Sequence, residues 1–273
     1  MSDLNTLLAI MSRLRDPKTG CEWDLAQTYA TICPHTIEEA YEVADAIQRQ
    51  DFEGLKEELG DLLFQIVFYS QLGYEENKFE FSDIVNAICE KMITRHPKIF
   101  VEESQDRLLS EDYSELSWEE IKTFERQKKA ENTHPSQPAT VNSVLDGIAW
   151  ALPALAIATK LQERASMVGF DWPEVGLVAD KICEELEELQ NELERESNET
   201  KIEEEFGDLL FACTNLGRHL GINPEEALRK ANKKFERRFR RVEVLTEQGA
   251  PLTANEGKLG VMQRYWEQVK LEE

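Results

Sequence analysis

Five carboxylates stand in a fixed pattern in the C-terminal half of the chain. Glu184, Glu185 and Glu188 form EExxE, and after a short gap Glu205 and Asp208 form ExxD. Glu205 and Asp208 are three residues apart, so on a helix they share a face. That helix continues as LLFACTNL, one of the most apolar stretches of the sequence. Carboxylates gathered there repel one another and resist burial unless a cation neutralises them. Hard oxygen ligands select Mg²⁺, Mn²⁺ or Ca²⁺ rather than zinc, and Mg²⁺ is commonly shared with substrate phosphates. Lys234 and Arg238, at i and i+4, share a helix face and could grip those phosphates, Arg as a bidentate fork. Acids, metal, phosphate and basic groups together imply phosphoryl transfer to water.

The pattern occurs twice. IEEAYE and ELGDLLF place Glu38, Glu39, Glu42, Glu58 and Asp61 as copies of the later five, with one residue's difference in the intervening loop. Gly20-x-x-Trp23 matches Gly169-x-x-Trp172, Lys91-x-x-x-Arg95 matches Lys234-x-x-x-Arg238, and Trp118 to Lys122 matches Trp266 to Lys270. The shared order marks an internal duplication. Residues 1–129 form one module and 143–273 a second. The stretch 130–142, rich in Pro, Ser, Thr and Asn, is the expected linker.

The elements that must hold the acids read as helices throughout. Leu4, Leu7, Leu8, Met11 and Leu14 have helical spacing. A helix carrying Glu38, Glu39 and Glu42 is expected to start near His35 or Thr36, with Thr36 as N-cap and Glu39 as its capping-box partner. Others are expected at Leu55–Leu72, stopping at Gly73, at Phe81–Arg95 and at Leu116–Lys129. In the second module they are expected at Val144–Met167, with Pro153 as a kink or start, then Pro173–Glu196, Thr200–Leu220, Pro224–Gln248 and Leu259–Leu271. Almost nothing alternates with the period of a strand. The fold class is all-α. Acids on consecutive helices joined by a short turn converge, because such helices run antiparallel and adjacent.

Composition narrows the function classes. Lys plus Arg number 31 against 54 Asp plus Glu, a net charge of −23. A phosphate backbone would be repelled, which argues against general nucleic-acid binding. Glu203 and Glu204 read as solvated surface charge. Five scattered cysteines without a CxxC fit reduced thiols in a cytoplasm. No stretch is long enough to span a bilayer, and the N-terminus lacks the character of a signal peptide. There is no G-x-x-x-x-G-K-[ST] loop. Two other readings remain for the acids. A di-iron carboxylate bundle would want Glu-x-x-His where both copies have Glu-x-x-Asp. A non-catalytic helical dimerisation or interaction protein would carry the acids as surface charge alone. Lys201 is equally explained by helix ion pairs, and Trp266 by either core packing or stacking on a base. His35, His96, His134 and His219 are isolated and read as structural.

The pairing of EExxE with ExxD, in ELGDLLF and EEFGDLLF, resembles the MazG-type nucleoside triphosphate pyrophosphohydrolases. KANKKFERRF and the opening RLRDPKTGCEWD are similar to the two-domain members of that family. The resemblance implies two tandem helical modules of four-helix-bundle type assembled in a homodimer. It also implies a Mg²⁺-dependent cut of NTPs or dNTPs between the α and β phosphates, with Mn²⁺ as a possible substitute, giving a monophosphate and pyrophosphate. Carried over by position, it implies Glu185, Glu188, Glu205 and Asp208 as catalytic metal ligands, with Glu184 close by. Lys201, Lys234, Arg238, Trp266 and Lys270 fall at positions the family associates with substrate. The N-terminal counterparts are Glu38, Glu39, Glu42, Glu58 and Asp61. The second module is the expected catalytic one, since Asn232 to Arg241 is far more basic than Cys89 to Pro97. Gly-Cys-Glu-Trp and Gln-Thr-Tyr in the first module depart from the family's usual Gly-Cys-Pro-Trp and Gln-Thr-His.

Overall fold

In the computed structural model the described residues are 3–96, 99–100, 143–195, 198–248 and 257–272. They form ten α-helices and, among them, no strand. The chain divides into two compact units, Met1–Ser136 and Gln137–Glu273. The expected linker 130–142 and the expected helix 116–129, with Trp118 and Lys122, lie outside the described residues.

The N-terminal unit contains α1 (Leu4–Leu14), α2 (Glu22–Ala26), α3 (Tyr29–Arg49), α4 (Phe52–Glu75) and α5 (Phe81–Arg95). The amphipathic α1 opens on an Asp3–Thr6 capping box. Its Met11 joins Ile32, Val67, Phe68 and Leu72 in a fully buried cluster, which ties α1 and α3 to α4. Burying apolar side chains of this size is worth about 1.5–3 kcal/mol each, so this cluster anchors the unit.

Several expected boundaries move. Helix α3 begins at Tyr29, not near His35, and Pro34 lies inside it. Thr28 and Thr31 form a reciprocal capping box there, with Thr28 N donating to Thr31 Oγ1 at 2.8 Å. Pro34 removes one ladder bond downstream, and the box satisfies orphan N–H groups at the helix start. Thr36 is therefore no cap. Its hydroxyl bonds the Tyr69 hydroxyl at 2.7 Å, and Glu39 is released from any capping role. Helix α4 also runs through Gly73 to Glu75. Gly73 is a packing position rather than a stop, because a Cβ there would lie 2.7 Å from the Phe79 ring and carbonyl.

The C-terminal unit contains α6 (Ala154–Met167), α7 (Val175–Glu194), α8 (Glu199–His219), α9 (Pro224–Gln248) and α10 (Lys258–Leu271). The helix expected from Val144 begins only at Ala154, because Pro153 is the N-cap of α6 and starts the helix rather than kinking it. Asn198 caps α8 by accepting from Lys201 N at 3.0 Å. Helices α7 and α8 pack along each other, as do α3 and α4 in the first unit. Helix α6 packs on α8, and α9 packs mainly on α10. Ala158 of α6, Val178 of α7 and Ala212 and Thr214 of α8 are buried.

Candidate active site

The helix pair α7–α8 carries acids on facing turns. Ligand oxygens of Glu185, Glu205 and Asp208 all lie within 4.8 Å of one another. Glu185 is 6 % exposed, Glu205 is half-buried and Asp208 is exposed. Burial, followed by the charges of Glu188, Asp208 and Glu185, pushes the Glu205 carboxyl above its ordinary range. An all-oxygen donor set held together against its own repulsion fits a hard divalent cation. The α3–α4 pair repeats the arrangement with Glu39, Glu58 and Asp61, also within 4.8 Å. Burial raises Glu39 and Glu58, and neighbouring carboxylates add to the rise; for Glu39 these are chiefly Asp61 and Glu42, for Glu58 chiefly Glu42 and Asp61.

The other acids of the two motifs stand apart from these trios. Glu188 and Glu42 lie outside them, yet close enough to raise Glu205 and Glu39. Glu184 is exposed and bound to Lys181 at 2.8 Å, while Glu38 is exposed and faces His35 at 3.6 Å. Glu203 and Glu204 are exposed, as their surface-charge reading expects. Lys181 was missed by motif reading. Its ammonium reaches Glu185 at 2.7 Å and Glu184 at 2.8 Å, which raises its own pKa. Its spacing of four residues before Glu185 was the available signal.

The expected substrate residues lie on α8, α9 and α10. On α9 and α10, Trp266 packs against Phe235 with ring centroids 5.3 Å apart, and the Arg238 guanidinium lies 6.0 Å above its ring. Lys234 is exposed on α9. Lys270 pairs with Glu267 at 2.7 Å. Lys201 is exposed in the first turn of α8.

A cavity of about 620 Å³ opens beside the C-terminal trio. It is enclosed by α6, the turn from Gly169 to Trp172, α7 and α8, and both Glu185 and Asp208 line it. The turn is fixed from across the unit. Arg218 grips Asp171, donating from Nη1 to Oδ2 at 3.0 Å and from Nη2 to Oδ1, and His219 Nε2 lies 3.0 Å from Oδ1. Asn215 Oδ1 accepts from Arg218 Nε at 3.0 Å. Hydrogen bonding by Arg218 holds the Asp171 carboxyl below its ordinary range, against its burial. In the N-terminal unit Arg15 donates to the carbonyl of Asp24 in α2. There a cavity of about 670 Å³ lies between α1, α4 and α5, and Glu39, Glu58 and Asp61 are not part of its lining.

Comparison with known proteins places these features in context. The MazG nucleotide pyrophosphohydrolase domain matches residues 27–100 and 176–242, the two stretches that hold the acids. A nucleoside triphosphate pyrophosphohydrolase of Escherichia coli strain K12 is 49 % identical, covering 100 % of this chain and 99 % of its own. The nucleoside triphosphate pyrophosphohydrolase/pyrophosphatase MazG of Thermotoga maritima is 41 % identical, covering 97 % and 94 %. The YabN protein of Bacillus subtilis is 38 % identical over 98 % of this chain and 52 % of its own.

Proposed function

The chain belongs to the MazG nucleotide pyrophosphohydrolase family, and on that premise we propose that its C-terminal unit hydrolyses nucleoside triphosphates between the α and β phosphates. The products are a nucleoside monophosphate and pyrophosphate. The observation that carries this reading is the cavity that opens onto Glu185 and Asp208.

Glu185, Glu205 and Asp208 would hold Mg²⁺, with Glu188 beside them, and Mn²⁺ could replace it. When bound, the ion supplies neutralising charge for the phosphates and Lewis acidity at the scissile phosphorus. Lys181 bridges the acids and the cavity and is placed to meet the triphosphate once a cation competes for Glu185. Lys201, Lys234, Arg238 and Lys270 offer positive charge for the outer phosphates, and Trp266 braces Arg238.

The acid-bearing helices also expose Leu186, Leu193, Phe206 and Leu210. An apolar face of this kind supports a homodimer joined through α7 and α8. The five free cysteines support a reducing cytoplasm. No helix among the described residues is long and apolar enough to cross a membrane.

The test is hydrolysis by two variants. Glu205→Gln should abolish turnover of Mg²⁺-NTP, and Glu58→Gln should leave most of it. Loss of most activity in Glu58→Gln would assign the reaction to the other unit.

A further inference from the structure

The cavity beside the C-terminal trio continues along α8, where Asp208, Phe211, Asn215 and Arg218 line it in turn. Asn215 stands two helical turns, about 10 Å, beyond Asp208. It is half-buried, and its Oδ1 accepts from Arg218 Nε at 3.0 Å and from Arg218 Nη2 at 2.8 Å. A guanidinium only donates, so the amide orientation is fixed and Nδ2 is the end turned away from Arg218. Arg218 is itself gripped by Asp171, which braces the amide from the turn. Among the described residues Nδ2 has no acceptor, and it keeps solvent access, unlike the unpaired Oε1 atoms of Gln65 and Gln162, which are fully buried. A preset donor in the wall of a cavity otherwise lined by Leu161, Phe170, Trp172 and Phe211 has the chemistry of a recognition group. The duplication points the same way. The register that pairs Glu58 with Glu205 and Asp61 with Asp208 pairs Phe68, Gln71 and Leu72 with Asn215, Arg218 and His219. In the first unit Phe68 and Leu72 belong to the buried apolar cluster. On the same face of α8 the second unit carries polar groups instead, forgoing about 1.5–3 kcal/mol of apolar burial for each.

We propose that Asn215 is a base-specificity residue that selects nucleobases with a carbonyl on their outer edge. The base lies against Phe170 and Trp172, its carbonyl accepts from Asn215 Nδ2, and the triphosphate is directed towards Glu185 and Asp208. This rests on the hydrolase reading above. An asparagine with both ends available reads adenine through the N6 donor and N7 acceptor together. Asn215 lacks that option, because Arg218 occupies its Oδ1. The remaining N–H suits O6 of guanine and O4 of uracil. It meets the amino groups of adenine and cytosine donor to donor.

The experiment measures kcat/KM of the full chain for GTP, UTP, ATP and CTP with Mg²⁺. The wild type should favour GTP over ATP and UTP over CTP by about tenfold, the effect of one neutral hydrogen bond. Asn215→Asp keeps an oxygen for Arg218 and exchanges the donor for an acceptor, so it should reverse both preferences. Ratios between bases cancel any uniform effect of the added charge on the triphosphate. Asn215→Leu keeps the shape and removes both groups, so it should level the ranking. A wild type without the carbonyl preference would overturn the proposal. So would a preference that survives in both variants, which would place the base elsewhere. An equal loss on all four substrates with the ranking intact would make Asn215 structural and overturn it too. A wild-type chain that turns over none of the four would fell the hydrolase reading, and this inference with it.

Discussion

Divalent cations should stabilise the protein through the C-terminal trio, and the size of the effect can be worked out. In the cation-free fold the Glu205 carboxyl is raised from an ordinary value of 4.5 by burial and by Glu188, Asp208 and Glu185. A raised carboxyl binds its proton more tightly in the fold than in the unfolded chain. The cation-free protein therefore loses stability as pH rises through that range, and the deficit persists at neutral pH. A cation bound by the fold alone adds RT ln(1 + [L]/Kd), about 2.7 kcal/mol at a hundredfold excess over Kd. For a unit of this size that corresponds to a rise in Tm of roughly 10 °C. The assay is thermal melting at pH 7 with and without Mg²⁺ or Mn²⁺, in a chain carrying Glu58→Gln so that the first trio is silenced. Adding Glu205→Gln should raise the cation-free Tm, by removing the repelled charge, and should erase the cation-dependent rise. A Glu205→Gln chain that melts lower without cation and still gains 10 °C with it would refute the reasoning.

Three further perturbations probe the scaffold. Arg15, 8 % exposed, binds Glu75 at 2.7 Å and the Asp24 carbonyl, so Arg15→Ala should cost about 3 kcal/mol in denaturant unfolding, by stranding a part-buried carboxylate. The hydrogen bond from Arg15 depresses Glu75 below its ordinary 4.5. Its stabilising contribution is complete above that value and is lost as pH falls through the depressed one, so the Tm gap between wild type and Glu75→Gln should be level above pH 5 and narrow below it. Gly73→Ala should destabilise by about 1–3 kcal/mol in the same unfolding assay, because the added Cβ meets the Phe79 ring and carbonyl.

The acids were legible in the sequence because they repeat. A duplicated spacing on apolar helices singles these acids out from the other charged residues, and the fold gathers Glu185, Glu205 and Asp208. The helical class was legible from periodicity, and the boundaries of α9 and α10 fall within a residue of their expected positions. Helix α3 was misjudged because Thr36 and Glu39 read as a capping box, whereas the Thr28–Thr31 box stands at the start. The cavity was not legible, since it is assembled from α6, a turn, α7 and α8, and no local pattern reports that convergence. Asp171 and Arg218 are 47 residues apart, and His219 looked isolated until the fold brought it to the same carboxylate. Gln162 reads in sequence as an ordinary helix residue. Its burial shows only in the fold, as does that of Gln65.

The most direct measurement is the phosphorus NMR spectrum of the products formed from Mg²⁺-NTP by the wild-type chain and by Glu205→Gln. Monophosphate with pyrophosphate from the wild type, and intact triphosphate with Glu205→Gln, is the predicted result. Diphosphate with orthophosphate, or undiminished turnover by Glu205→Gln, would contradict the account.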